Sequence, residues 1–125
     1  MTAGVSVVDL FSGAGGFSLG FENAEFDIAV ATDYQESAEK TYVANLDSPF
    51  LCADITELAE NIDPLLETGG ITENDVDIII GGPPCKGFST AGVYNPDDPR
   101  NSLLLNYIEV VEQLQPEAIV IENVP

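Results

Sequence analysis

Ser6-Val7-Val8-Asp9-Leu10-Phe11, followed at once by Ser12-Gly13-Ala14-Gly15-Gly16, reads as a short, mostly apolar strand running into a glycine-rich turn. A helix can begin over residues 17–23, so the opening spells strand, turn, helix. The alternation then repeats outward. Residues 27–32 predict a second strand, and residues 35–46 a helix with Ala38, Tyr42 and Leu46 four apart. Residues 50–53 predict a brief third strand, and the next helix carries Ile55, Leu58, Ile62 and Leu65 on one face. Residues 76–80 are a continuous apolar run that Gly81-Gly82-Pro83-Pro84 ends sharply. After a long loop to Pro99, a helix with Leu104, Ile108, Val111 and Leu114 as its stripe precedes a fifth strand at residues 118–121.

Strands alternating with helical patterns, the inner strands apolar on both faces, predict an α/β fold. Its sheet is doubly wound and mainly parallel, covered by helices through right-handed crossovers. The sequence stops at Glu122-Asn123-Val124-Pro125, just after a strand and without a closing helix. That predicts a partial sheet, the first part of something larger.

Composition narrows the chemistry. The chain has 125 residues, 45% of them apolar, enough for one domain core. No apolar run reaches the roughly 20 residues needed to cross a bilayer, and Met1-Thr2-Ala3-Gly4 does not start a signal peptide. A soluble, cytoplasmic protein is the expectation. The absence of His removes Ser-His-Asp and Cys-His catalysis and His-ligated metals. Two cysteines, Cys52 and Cys85, build neither a zinc site nor a disulfide framework. Against 22 acidic residues stand 3 basic ones, a net charge of −19, so no basic patch is available for phosphates. The carboxylates are scattered, with no block of five like charges, which favours adaptation to high salt over an acidic interaction surface.

Open parallel sheets take ligands at the carboxyl ends of their strands, where Asp9 to Gly16, Asp33-Tyr34, Cys52 to Ile55, Gly81 to Ser89 and Glu122 all fall. Gly13, Gly15 and Gly16 allow backbone to approach a ligand closely. Asp33 follows Gly13 by 20 residues, a spacing at which a carboxylate reaches ribose hydroxyls. The dinucleotide fingerprint needs Gly or Ala where Ser18 stands, so an adenosyl ligand without a pyrophosphate fits better than a nicotinamide cofactor. The plain alternative is a glycine turn between strand and helix; Asp33 tips the balance toward binding. Tyr34 can stack on adenine, Asp54 can accept from its amino group, and Ile55 can wall it. Taken singly, Tyr34 reads as packing and Asp54 as a helix cap. Cys52 reads as an inert buried thiol. In Gly82-Pro83-Pro84-Cys85-Lys86-Gly87-Phe88-Ser89, two prolines stiffen the backbone ahead of a thiol whose pKa Lys86 can help lower.

These residues resemble the N-terminal part of the cytosine-5 DNA methyltransferases. Asp9-Leu10-Phe11-Ser12-Gly13-Ala14-Gly15-Gly16 is similar to their first, cofactor-binding motif. Gly82-Pro83-Pro84-Cys85 with Gly87-Phe88-Ser89 is similar to the nucleophile motif, and Glu122-Asn123-Val124 to the catalytic acid motif. The resemblance spans nearly the whole chain, and Lys86 stands where Gln is usual.

It implies a Rossmann-like S-adenosylmethionine-dependent methyltransferase fold. Residues 1–125 would be the N-terminal, cofactor-binding and nucleophile-bearing part of the catalytic domain, without the target recognition region and inactive alone. S-adenosylmethionine would be the cofactor. Phe11 would pack near its adenine, and Ser12, Gly13, Gly15 and Gly16 would line the methionine part. Asp33 would hold the ribose, Tyr34, Asp54 and Ile55 would border the adenine, and Pro83 and Leu103 would complete the pocket. Cys85 would attack cytosine carbon 6 and Glu122 would support charge at ring nitrogen 3. DNA would be the partner through the complete enzyme, beside a cognate restriction endonuclease and with no membrane. A non-catalytic adenosyl-ligand or partner-binding module, and methylation of RNA cytosine, are the alternatives.

Overall fold

The computed structural model describes residues 4–83 and 101–122. The opening segment forms β1 (Ser6–Leu10), α1 (Gly16–Asn23), β2 (Asp27–Asp33), α2 (Glu36–Asn45) and β3 (Phe50–Cys52). Then α3 (Ile55–Glu60), α4 (Asp63–Gly69) and a 3-10 turn at Glu73–Asp75 lead to β4 (Ile78–Gly81), and α5 (Asn101–Leu114) precedes β5 (Ala118–Ile121). The strands form one sheet in the order β3-β2-β1-β4-β5, and every neighbouring pair is parallel. The expected α/β architecture holds. The chain winds outward from β1 to β3, then crosses back to β4 and winds the other way. That reversal between β1 and β4 opens a crevice at the carboxyl ends of the strands.

Alternation along β1 splits the core between two layers. Val7 joins Ile28 and Ile80 under Phe17, Phe21 and Phe26 on the α1 side. Val8 and Leu10 join Val30 and Ile79 on the opposite face, with Leu58, Leu65, Tyr107, Val110 and Leu114 of the later helices. β5 lies at the edge, and Ile119, Val120 and Ile121 are each at least 40% exposed despite their apolar run.

Two helix expectations are corrected. The face carrying Ile55, Leu58, Ile62 and Leu65 is buried throughout, yet it belongs to two helices, not one. Pro64 is the reason: inside a continuous helix it would lose a hydrogen bond and clash with the carbonyl four residues earlier. Asn61 instead leaves the helix at φ −148, its side chain accepts the Asp63 N–H at 3.1 Å, and α4 restarts with Pro64 in its first turn. In α5 the buried stripe is Tyr107, Val110 and Leu114, with Leu103 half-buried above them, while Ile108 of the expected stripe is 42% exposed. Two overlapping apolar stripes are written into this helix. The one that carries the large Tyr107 ring wins, because β4 offers that ring a space above Gly81.

Candidate functional site

The turn after β1 is built from unusual backbone. Phe11 takes φ +56, a left-handed conformation uncommon for a bulky residue. The Ser12 N–H donates to the Thr32 carbonyl at 3.0 Å, and the Gly15 N–H to the Ser12 carbonyl at 3.1 Å. Gly15, at φ +103, presses against α2: a Cβ there would stand 2.5 Å from Leu46 Cδ1 and 2.8 Å from Tyr42 Cδ2. It is also the N-cap of α1, with no side-chain cap. The Gly13 N–H donates to Asp33 Oδ2 at 3.0 Å, while Asp33 Oδ1 accepts the Gln35 N–H at 3.0 Å. Asp33 therefore locks the glycine turn to the end of β2.

Beneath the turn lies a group that spacing did not single out. Asp9 is fully buried, and its Oδ2 accepts the Ser18 hydroxyl at 2.6 Å while Oδ1 has no hydrogen-bond partner among the described residues. Burial pushes this carboxyl up to about 7, against hydrogen bonds from the Ser18 side chain and backbone that pull it down, and Asp33 raises it further.

Two adjoining cavities open at the carboxyl ends of the strands. The first, about 470 Å³, is lined by Phe11 after β1, Thr32 to Gln35 around the end of β2, and Ala53 to Ile55 after β3. Gly82 after β4 and Leu103 of α5 close it. The second, about 370 Å³, is lined by Phe11, Ser12, Gly16, Phe17, Gly82 and Glu122. Phe11 and Gly82 form the shared wall. The Ser12 hydroxyl is buried there without a partner among the described residues. Glu122 is held by its N–H on the Gly81 carbonyl at 3.0 Å. Its Oε2 sits 2.9 Å from where a Cβ on Gly82 would stand, so a side chain at Gly82 would push the carboxylate aside.

Phe11, Asp33, Tyr34, Asp54, Ile55 and Leu103 thus meet at the first cavity, and Ser12, Gly16 and Glu122 at the second. Gly13, Gly15 and Pro83 line neither; the first two shape the turn. Asp54 both caps α3 and lines the cavity, its Oδ1 accepting the Thr56 N–H at 2.9 Å and hydroxyl at 2.8 Å. Tyr34 is 64% exposed, so it is not packing. Cys52 is half-buried rather than buried, a correction that follows from its place at the end of the edge strand. Desolvation, with the carboxylates of Glu39, Glu36 and Asp33 nearby, raises its thiol pKa and so disfavours the reactive thiolate. Cys85, Lys86 and the loop at residues 90–99 lie outside the described residues. Sequence reasoning missed Thr32, Gln35 and Phe17, whose place depends on which strand ends meet; Ala53 and Gly82 fell inside the strand-end segments read from the sequence but were not singled out.

The family profile of the C-5 cytosine-specific DNA methylases matches residues 5–125. Type II methyltransferase M1.HphI of Haemophilus parahaemolyticus is 44% identical over 124 residues, covering 96% of this chain and 32% of that protein. Type II methyltransferase M.AgeI of Thalassovita gelatinovora is 41% identical over 122 residues, covering 96% and 28%. The chain thus spans about a third of the length of these relatives. Among solved structures, a prophage-encoded protein of E. coli described as a DNA modification methyltransferase superposes with a TM-score of 0.78 at 39% identity, over 97% of this chain and 32% of that one. A glycine turn locked by Asp33, a crevice at the strand reversal and a match over residues 5–125 lead to one assignment: the chain belongs to the C-5 cytosine-specific DNA methylase family.

Proposed function

We propose that this chain supplies the cofactor-binding and nucleophile-bearing part of an enzyme that transfers a methyl group from S-adenosylmethionine to carbon 5 of cytosine in DNA. The observation that carries the reading is the pair of adjoining cavities at the strand reversal, one with carboxylate acceptors and apolar walls for an adenosyl group and the other with Glu122. The lining fits that group. Phe11, Ile55 and Leu103 offer apolar surface, Tyr34 an exposed ring, and Asp33 and Asp54 carboxylates for ribose hydroxyls and an exocyclic amine. The Ser12 hydroxyl, without a partner among the described residues, and the N-terminus of α1, which has no side-chain cap, suit the polar methionine end. When bound, the cofactor supplies an electrophilic methyl on a sulfonium.

Carbon 5 of cytosine is too poor a nucleophile to take that methyl unaided. The Cys85 thiolate attacks carbon 6 and turns carbon 5 into the nucleophilic end of an enamine. Glu122 supports charge developing at ring nitrogen 3 by holding a proton there. Loss of the carbon 5 proton and expulsion of Cys85 then release the product. The target base must leave the duplex for carbon 6 to be reached. The relatives extend well beyond the part that this chain matches, and contacts to DNA would fall to those parts, which would reconcile −19 with a DNA-modifying family. A cytoplasmic setting, a cognate restriction endonuclease and adaptation to high salt complete the proposal.

The full-length gene product, mixed with S-adenosylmethionine and DNA carrying 5-fluorocytosine, should give an adduct that survives denaturing electrophoresis. Cys85→Ser should abolish it and leave S-adenosylhomocysteine affinity within about twofold, because Cys85 acts on the cytosine while Phe11, Asp33 and Asp54 hold the cofactor. Glu122→Gln should slow methyl transfer while still allowing some capture. An adduct that forms equally with Cys85→Ser would place the nucleophile elsewhere.

A further inference from the structure

Resting on the function proposed above, the geometry points to Tyr107 as a positioning residue, which ties the aromatic wall of the first cavity to the end of β4 that leads to Cys85. Tyr107 touches neither cavity; it lies one helical turn beyond Leu103, which does. Its ring stacks on Phe11, centroids 6.3 Å apart and planes 19° from parallel. Phe11 is the wall the two cavities share, and its backbone is held at φ +56, a conformation that persists only where surrounding contacts enforce it. On its other side the ring fills the space above Gly81. A Cβ there would stand 2.8 Å from Tyr107 Cε2 and would collide with the Leu10 carbonyl. Gly81 accepts the Glu122 N–H and precedes Cys85 by four residues. One ring thus bears on the wall of the ligand cavity, the strand running to the nucleophile, and the residue that holds the acid.

The hydroxyl is not what this position uses. Tyr107 is fully buried, and its OH has no hydrogen-bond partner among the described residues, so the polar atom is a cost and the ring is the working part. A ligand seated against Phe11 bears through that ring on Tyr107, and Tyr107 in turn bears on the backbone at Gly81. Packed interiors transmit such displacement because they are dense.

The test is a double-mutant cycle read by S-adenosylhomocysteine binding. Tyr107→Met fills similar space without a ring, and Tyr107→Leu serves if Met does not fold. Either should weaken binding about fivefold in the wild-type background, the scale of a lost aromatic pair. In a Phe11→Ala background the same change should cost less than about twofold, since the contact is already gone. Tyr107→Phe should bind within about twofold of wild type. A second reading uses Cys52→Ser protein, in which iodoacetamide reports on Cys85 alone. Saturating S-adenosylhomocysteine should change the alkylation rate about threefold or more, and Tyr107→Met should remove that change. Equal losses in both backgrounds, or alkylation unaffected by ligand, would overturn the coupling while leaving the cofactor site intact. Wild-type protein that binds no S-adenosylhomocysteine at all would sink the functional reading and this inference with it.

Discussion

Asp9 is a carboxylic acid placed where water cannot reach it, and the consequence is a stability that depends on pH. Its folded value of about 7 lies above the ordinary 3.8, so the folded chain binds the proton more tightly than the unfolded one. Stability is therefore unpenalised below about pH 4, falls as pH rises through the window between those values, and levels off above about pH 7. The full penalty is roughly 4 kcal/mol from the size of the shift. Asp9→Asn keeps an acceptor for the Ser18 hydroxyl and carries no charge. Urea melts should show the variant gaining on wild type by roughly 3 kcal/mol between pH 4.5 and pH 8; curves that stay parallel would mean that Asp9 titrates normally. The glycine turn gives a second contrast at this scale. Gly13 has φ +55 and open space around a Cβ, so Gly13→Ala should cost about 1–2 kcal/mol in backbone strain. Gly15→Ala adds a collision with Leu46 and Tyr42 to its strain and should cost about 3 kcal/mol or more, or fail to fold. Equal losses in denaturant melts would mean that α2 yields freely to the turn.

At the scale of elements, α3 begins at a residue with two duties. Asp54 caps the helix through Oδ1 and lines the first cavity. Asp54→Ala should lose both, about 1 kcal/mol of stability and the acceptor for the ligand. Asp54→Ser should restore the cap and so the melting temperature, while S-adenosylhomocysteine affinity stays about fivefold to tenfold below wild type. Affinity that returns with the cap would show Asp54 to be structural alone. Both readings of Asp54 were visible in the sequence, as a cap ahead of Ile55 and as a carboxylate at a strand end. Choosing between them required the cavity, which exists only once β1, β2, β3 and β4 lie side by side.

For the whole molecule the dominant quantity is a net charge of −19 on 125 residues. Lys40 is the one basic side chain among the described residues, so self-repulsion among surface carboxylates is scarcely offset. Salt screens such repulsion over about 3 Å at 1 M, against about 10 Å at 0.1 M. The melting temperature should therefore climb as potassium chloride rises from about 0.1 M to molar concentrations. A flat or falling curve would remove high-salt adaptation as the reason for the acidity.

The sequence by itself determined the alternation of strands and helices, the turn at Gly13 to Gly16, and the place of Asp33, Tyr34, Asp54 and Ile55 at the carboxyl ends of strands, whereas Leu103 came from the family resemblance alone. Leu103 apart, these follow from local rules: apolar period, the sterics of glycine and proline, and the direction of right-handed crossovers. The tertiary structure decided the strand order, the buried stripe of α5, the dual place of Asp54, and the burial of Asp9 and Tyr107. The break between α3 and α4 stands between these groups, since Pro64 announced it while the unbroken apolar face concealed it. Periodicity reports which residues face inward, whatever the number of helices that carry them. Which of two apolar stripes is buried, and whether a carboxyl in a strand meets water, depends on what the opposing element offers. For Tyr107 that was the empty space over Gly81, 26 residues away in sequence, a distance over which no local pattern reaches.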